Sequence, residues 1–125
     1  MKKKQINVLG HVYNVLIISE NKVPNDLKFK HETANGLCEN YSNELIIFND
    51  NPKPKNYRRL DLLREKVSRH ELLHAYFNKS GLTQLLSTDA EEAIVDMLAI
   101  NYYQIAENVE LLENFLNTAQ PAEKE

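Results

Sequence analysis

The stretch from Thr83 to Gln120 contains neither glycine nor proline, and this uninterrupted run constrains the fold more than any other feature of the sequence. Glycine and proline are the residues that most often end helices, so their absence favours helix over most of the run. Thr88, followed three residues later by Glu91, forms a capping-box pattern that predicts a helix start near Asp89. The C-terminal part of the chain is therefore predicted to be helical, with a break in its apolar pattern near Asn108.

A second region of helical periodicity precedes this run. Between Tyr57 and Asn78, apolar residues recur at helical spacing, and Gly81 follows where a C-terminal cap is expected. The apolar positions of the two predicted helices are Leu60, Leu63, Val67 and Phe77 in the first and Ile94, Leu98, Ile105, Val109, Leu112 and Phe115 or Leu116 in the second. We predict one long helix here, followed by the C-terminal helical segment.

The N-terminal half has the pattern of β-strands. The β-branched runs Ile6–Val8 and Val12–Ile18 flank Leu9–His11, which predicts a hairpin with Gly10 in its turn. Leu37–Glu39 and Glu44–Phe48 predict a second strand pair. The expected fold class is α+β, with a small three- or four-stranded sheet packed on the first long helix. We expect a single domain over residues 1–119 and a frayed tail over residues 120–125.

Composition excludes several classes of function. The chain has 125 residues, with 15 Lys and Arg against 18 Asp and Glu, so its net charge of −3 gives no reason to expect a nucleic-acid surface. Its single cysteine, Cys38, cannot form an internal disulfide, and no apolar run approaches the length of a membrane span. We therefore expect a cytoplasmic protein without a membrane partner, in which nitrogen and oxygen ligands would hold any metal.

His70-Glu71-Leu72-Leu73-His74 is an H-E-x-x-H sequence within the first predicted helix. Residues four apart project from one helix face, so His70 and His74 can reach the same ion. Glu71 is displaced around the helix and is placed to act as a general base rather than as a ligand. Zinc lowers the pKa of the water it binds, which makes proton transfer to a carboxylate easy. On an amphipathic helix the same pattern can also arise by chance. A third ligand from another element is therefore needed before the pattern indicates a metal site.

The second predicted helix offers three acids for that third ligand. Glu91 would occupy the N3 position if Thr88 is the cap, and its side chain would then turn back to the cap amide. Glu92 is therefore the better candidate ligand. Asp96 lies one turn later on the same face and would orient the ring of His70. The alternative is an ordinary solvated first turn that favours the helix dipole.

His70-Glu71-x-x-His74 followed by Glu92-x-x-x-Asp96 resembles the gluzincin arrangement of thermolysin-type peptidases. More closely, Arg69–Ala75, Ser80–Leu82 and Glu92–Ala99 resemble the ImmA/IrrE family of metallopeptidases, especially its short phage and mobile-element members. The resemblance covers roughly residues 35 to 105. It implies one Zn²⁺ held by His70, His74 and Glu92, with Asp96 supporting the first histidine. It also implies a protein substrate, and members of the family are implicated in cleaving helix-turn-helix repressors.

A peptidase also needs a surface that holds its substrate and a donor that stabilises the oxyanion. Gly36-Leu37-Cys38 leading into Leu45-Ile46-Ile47 looks like the edge-strand region of the same family, and a substrate peptide can add to such an edge as a further strand. The sequence-based candidate for the substrate-binding edge is Glu44, Leu45, Ile46, Ile47 and Phe48; a plain core strand is the alternative. For the oxyanion, the candidates are Tyr102, Tyr103, His31 and Tyr76.

The sequence thus favours a zinc endopeptidase, with oligomeric state left open. A second hypothesis is a non-catalytic protein-binding module in which the metal site is structural or a relic. A third, a repair peptidase of the SprT-like kind, shares the helical motif but should bring a zinc ribbon or a basic surface, and the sequence has neither.

Overall fold

The computed structural model describes residues 2–19, 22–28, 30, 34–49 and 59–118. Its β-strands are β1 (Lys2–Val8), β2 (His11–Ile18), β3 (Gly36–Glu39) and β4 (Glu44–Phe48), and its helices are α1 (Leu60–Lys79), α2 (Thr88–Ile100) and α3 (Tyr102–Thr118). Short 3-10 turns cover Asn25–Leu27 and Leu82–Leu85. The class is α+β, as predicted. No helix in the described ranges combines the length and apolarity that a bilayer crossing requires.

The strands form one mixed sheet in the order β1-β2-β4-β3. The predicted hairpin is present, with β1 and β2 antiparallel and Val8 opposite His11. Its turn is shorter than predicted, because Leu9 and Gly10 both have positive φ angles, of 51° and 88°, and close the hairpin by themselves. Two such residues give a turn whose twist matches that of paired strands. His11 is therefore the first residue of β2.

The position of β4 contradicts the sequence-based choice of edge strand. β4 pairs in parallel with β2 on one side and antiparallel with β3 on the other. The segment Glu44, Leu45, Ile46, Ile47 and Phe48 is therefore an interior strand and has no open edge for a peptide. The outer strands are β1, which carries three consecutive exposed lysines, and β3. Strand order was missed because the parallel β2–β4 pair joins distant residues and leaves no local pattern.

Side chains of β4 alternate between two apolar layers. Ile47 packs with Leu63 and Val67 of α1, so this face of the sheet is covered by the long helix. On the other face, Ile46 and Phe48 pack in a cluster with residues of β2 and of the 22–28 segment. Burial on both faces explains why the strand reads as a continuous apolar run. It also holds α1 against the centre of the sheet.

The second helix begins one residue earlier than the capping-box pattern predicts. Ser87, in an extended conformation, is the N-cap, and its side chain accepts a hydrogen bond from the amide of Ala90 at 3.1 Å. Thr88 is the first helical residue. Ser and Thr are both good caps, so the adjacent pair left the register ambiguous by one position. The shift makes Ala90 the N3 residue and frees Glu91 from capping.

The helical C-terminal part breaks at Asn101, not near Asn108. α2 ends at Ile100, and the Asn101 amide and side chain both donate to the carbonyl of Met97, the side chain at 2.9 Å. The buried residues of α2 are Val95 and Ala99, one position away from the predicted Ile94 and Leu98. No residue of α3 is buried. The sheet, α1 and α2 therefore form the packed unit that carries the site.

Candidate metal centre

Glu71 lies in the middle of the row of α1 that faces the sheet. The buried residues of this helix are Leu63, Val67, Glu71 and Ala75, each four positions after the last. Such a row forms a continuous stripe on one helix face. Glu71 is the charged member of an otherwise apolar stripe and is only 9 % exposed. A carboxylate has little reason to be there for packing alone.

Gly36 of β3 allows α1 to approach the sheet closely at this point. A Cβ atom at Gly36 would lie 2.6 Å from Cγ1 of Val67 and 3.3 Å from Cγ of Glu71. The first distance is shorter than van der Waals contact permits, so a side chain larger than hydrogen would push β3 and α1 apart. The absence of a side chain at Gly36 therefore sets the distance between the strand and the catalytic candidate Glu71.

His70 and His74 project from the neighbouring face of α1 and converge. Their Nε2 atoms lie 3.2 Å apart, and their rings meet edge to face with centroids 4.8 Å apart. This is the arrangement that the spacing of four residues predicts on a helix. Both imidazoles present the same nitrogen to the same point, which is what a shared ion requires.

Glu92 of α2 reaches the same point from the other side. Its two carboxylate oxygens lie 3.3 Å from Nε2 of His70 and 2.7 Å from Nε2 of His74. Ligand atoms of the three residues all lie within 4.8 Å of one another, so the cluster could hold a metal ion. Two imidazole nitrogens and one carboxylate are the donor set of a catalytic zinc site, which leaves one position open. The residues present therefore fit the ion that the sequence predicts.

Carboxylates also contact the outer nitrogens of both histidines. Asp96 lies 3.4 Å from Nδ1 of His70, where the sequence predicts a supporting acid, and also 3.6 Å from Nζ of Lys66. The capping-box pattern predicts that Glu91 turns back towards the cap. Instead, its Oε2 lies 2.6 Å from Nδ1 of His74. This contact was not predicted, because the capping-box pattern places the cap at Thr88, one residue after the observed cap at Ser87.

Burial governs the electrostatics of the cluster. It raises the pKa of Glu71 to about 7. The charge of His74 acts to lower this pKa, and the charge of Glu92 acts to raise it. Burial also lowers the pKa of His70 below its ordinary value, against a smaller opposite influence of Glu92. A lowered pKa keeps the imidazole of His70 neutral at pH 7, and the neutral ring is the form that binds metal.

The cluster lies in a cleft of about 680 Å³ between β3 and the two helices α1 and α2. The residues lining it are Ala34–Cys38, Asn40, Leu63, Lys66, Val67, His70, Glu71, His74, Glu91, Glu92 and Asp96. The cleft thus combines the predicted cluster with a strand at the end of the sheet. A peptide-sized ligand has room in such a space.

Asn40 accepts several hydrogen bonds at the edge of this cleft. Its Oδ1 accepts hydrogen bonds from the hydroxyl of Tyr13 at 2.7 Å and from the thiol of Cys38 at 3.1 Å, and its carbonyl accepts from Lys79 at 3.2 Å. Burial, with the charges of Glu71 and Glu39 adding, raises the pKa of the Cys38 thiol to about 12. The Cys38 thiol therefore stays protonated at neutral pH and is not an activated thiolate.

The tyrosines proposed for the oxyanion do not line the cleft. Tyr102 and Tyr103 are 49 % and 64 % exposed at the start of α3, and the guanidinium of Arg69 lies 4.9 Å from the ring of Tyr103. Tyr76 points to solvent with 39 % of its surface exposed, and His31 lies outside the described residues. Both residues follow the helix break at Asn101 and begin α3, so they do not continue the face of α2 that lines the cleft.

Comparison of the chain with protein-family models, curated protein sequences and solved structures gave no significant match.

Proposed function

We propose that this chain is a zinc metallopeptidase of the gluzincin, ImmA/IrrE-like kind, which hydrolyses a peptide bond in a protein substrate. The observation that carries the proposal is the convergence of His70, His74 and Glu92 on one point beside the buried carboxylate of Glu71. Chance placement of an H-E-x-x-H sequence does not account for a third ligand from a separate helix.

Each residue of the candidate site has a distinct role in this proposal. His70, His74 and Glu92 would hold the ion, and Asp96 would support the ring of His70. A bound zinc ion would polarise the scissile carbonyl and acidify the attacking water. Glu71 accepts the proton from that water and returns it to the leaving amine. Its position off the ligand face leaves it free for this proton transfer.

The substrate surface in this proposal moves from β4 to β3. β3 ends the sheet and lines the cleft beside Glu71. A peptide could pair with its outer edge through main-chain hydrogen bonds, which is the common way in which peptides extend a sheet. The three lysines of β1 make the opposite edge a poor alternative, because charged edges discourage pairing. The repressor substrate comes from the family resemblance.

Metal analysis of the purified protein tests the first step. Wild type should contain about one zinc ion per chain, whereas His70→Ala and Glu92→Ala should contain little, because each removes one of three ligands. Asp89→Asn is the control, since Asp89 is an exposed acid in the first turn of the same helix as Glu92. Near-zero zinc in wild type and in both ligand variants would contradict the proposal.

Cleavage tests the second step. A panel of helix-turn-helix repressors is incubated with the zinc-loaded protein, and fragments are measured by mass spectrometry. Glu71→Gln should retain zinc and lose cleavage by at least a hundredfold, which is the usual contribution of a general base. Glu65→Gln, at an exposed position of the same helix, should cleave as wild type does.

Two outcomes of that experiment would count against the assignment. Cleavage retained by Glu71→Gln would remove Glu71 from its role. A wild type that binds a repressor without cutting it, with the binding unchanged in Glu71→Gln, would favour the protein-binding module instead.

A further inference from the structure

Glu91 is a buried acid to which the proposed peptidase chemistry assigns no role. Its side chain is only 12 % exposed, although it lies in the first part of a helix where acids are usually solvated. One oxygen, Oε2, lies 2.6 Å from Nδ1 of His74. Among the residues that the structure describes, its other oxygen, Oε1, is buried and has no hydrogen-bond partner. A carboxylate that loses water in this way needs a strong interaction to offset the cost.

The contact with His74 supplies that interaction and has a chemical consequence. When Nδ1 of His74 carries the hydrogen and donates it to Glu91, the remaining nitrogen, Nε2, offers a lone pair. Nε2 is the atom that lies against His70 and Glu92 in the cluster. The carboxylate thus fixes both the tautomer and the orientation of the ring.

Asp96 provides the comparison within the same site. It stands in the equivalent place on His70, but its contact is longer, at 3.4 Å, and its side chain is 49 % exposed. It also shares its Oδ1 with Lys66 at 3.6 Å. A contact that is longer, more exposed to solvent and shared with a lysine orients a ring less strongly than one that is short and buried.

We infer that Glu91 is the positioning residue of His74, and that it controls the affinity of the site for a divalent metal more strongly than Asp96 does. The inference rests on the proposed metal site and deepens it. Glu91 touches neither the ion nor the substrate in this role, and it acts through the ring of His74.

Zinc affinity measured on the full-length chain tests this role. The metal-free protein is titrated with zinc against a chelating dye that competes for the ion. Glu91→Ala should weaken zinc binding by about ten- to a hundredfold, the usual effect of removing a partner of a metal-bound histidine. Glu91→Gln should lie between Glu91→Ala and wild type, because its amide oxygen can still accept from Nδ1. Asp96→Asn should weaken binding less than Glu91→Ala does.

Two further measurements separate positioning from general damage to the fold. Asp89→Asn removes an exposed acid from the same turn and should leave zinc affinity unchanged. The visible spectrum of the cobalt-loaded protein reports the geometry of the ligands, so Glu91→Ala should alter its bands while Asp89→Asn should not. Partial recovery by Glu91→Gln would also distinguish orientation from loss of folding.

The outcomes for the two proposals differ. Wild-type zinc affinity and an unchanged cobalt spectrum in Glu91→Ala would overturn the role of Glu91 and leave the metal site standing. An equal loss of zinc affinity in Glu91→Ala and Asp89→Asn would mean that the negative charge of the first turn, and not the contact with His74, causes the effect. That result would also overturn the role of Glu91. Absence of zinc binding in wild type would instead overturn the metal site, and the role of Glu91 with it.

Discussion

Two of the residues that shape the site carry no chemistry of their own. Gly36 has no side chain, yet the closeness of β3 to α1 depends on it, because a Cβ there would meet Val67 at 2.6 Å. Ser87 only caps a helix, yet its position determines where Glu91 points. Both show that the reactive groups are held in place by backbone geometry.

Gly36→Ala is predicted to destabilise the protein by about 1–3 kcal/mol, the usual effect of inserting atoms into a packed contact. The added methyl group must displace the side chain of Val67 or move β3 away from α1. Urea unfolding measures the free energy, and amide chemical shifts should change in β3 and near Glu71. Gly81→Ala is the control.

Gly81 has a φ of +87° and open space around its Cα, so alanine there should cost about 1 kcal/mol through backbone strain alone. Its chemical-shift changes should stay near the end of α1. A Gly36→Ala protein as stable as wild type would mean that the strand and helix are not in tight contact.

The candidate site residues on α1 were predictable because helical geometry fixes the relation between neighbouring positions on the helix. His70, Glu71 and His74 needed nothing but the assignment of a helix. Glu92 and Asp96 needed a second helix on the opposite side, which the pattern also supplied. Glu91 was missed because its role depends on a difference of one residue in the cap, and adjacent Ser87 and Thr88 are equally plausible caps.

At the scale of elements, the start of α2 is the feature that most affects the site. Ser87→Ala should lower the free energy of unfolding by about 1 kcal/mol, because it removes the hydrogen bond to the amide of Ala90. Thr88→Ala should have a much smaller effect, since Thr88 lies inside the helix. Urea unfolding of the two variants is the measurement. A larger loss of stability for Thr88→Ala would mean that Thr88, as the sequence indicated, and not Ser87, is the N-cap.

The positions of the strands and helices along the chain were predicted better than their arrangement in space. The hairpin, the second strand pair and α1 all lie close to the expected positions, because local patterns specify them. The edge strand was wrong, since the order β1-β2-β4-β3 depends on a long-range parallel pairing. Two of the oxyanion candidates, Tyr102 and Tyr103, do not line the cleft, because the break at Asn101 places them at the start of a separate helix, α3.

At the scale of the whole molecule, the candidate metal site joins two helices that other polar contacts also link, among them the hydrogen bond from Nε of Arg69 to the carbonyl of Ala99 at 2.8 Å. An ion bound by His70 and His74 of α1 and Glu92 of α2 would link them in the folded state only. Any ligand that binds the folded state alone stabilises it. The cluster is therefore expected to contribute to stability as well as to chemistry.

Zinc should accordingly raise the melting temperature. At a free concentration a hundred times the Kd, the stabilisation is about 2.7 kcal/mol, which for a domain of this size corresponds to roughly 10 °C. Differential scanning calorimetry with and without a chelator measures the shift. His74→Ala should melt at the same temperature in both conditions. An equal shift in His74→Ala and in wild type would mean that zinc binds elsewhere.

The parallel pairing of β2 with β4 also affects how quickly the protein can fold. Asn14 lies opposite Glu44, whereas the first hairpin joins residues as near as Val8 and His11. Closing the longer loop costs more chain entropy before any contact forms, and folding slows as contacts become less local.

Both hairpins and α1 can begin to form from neighbouring residues, but the docking of α1 needs both hairpins together. Ala75, one residue beyond His74, packs among Val8 and Tyr13 of the first hairpin and Leu45 of the second. A newly made chain is thus expected to hold its histidines on a nascent helix before the sheet is complete. The candidate site would be complete only after β2 has paired with β4, the least local pairing of the sheet.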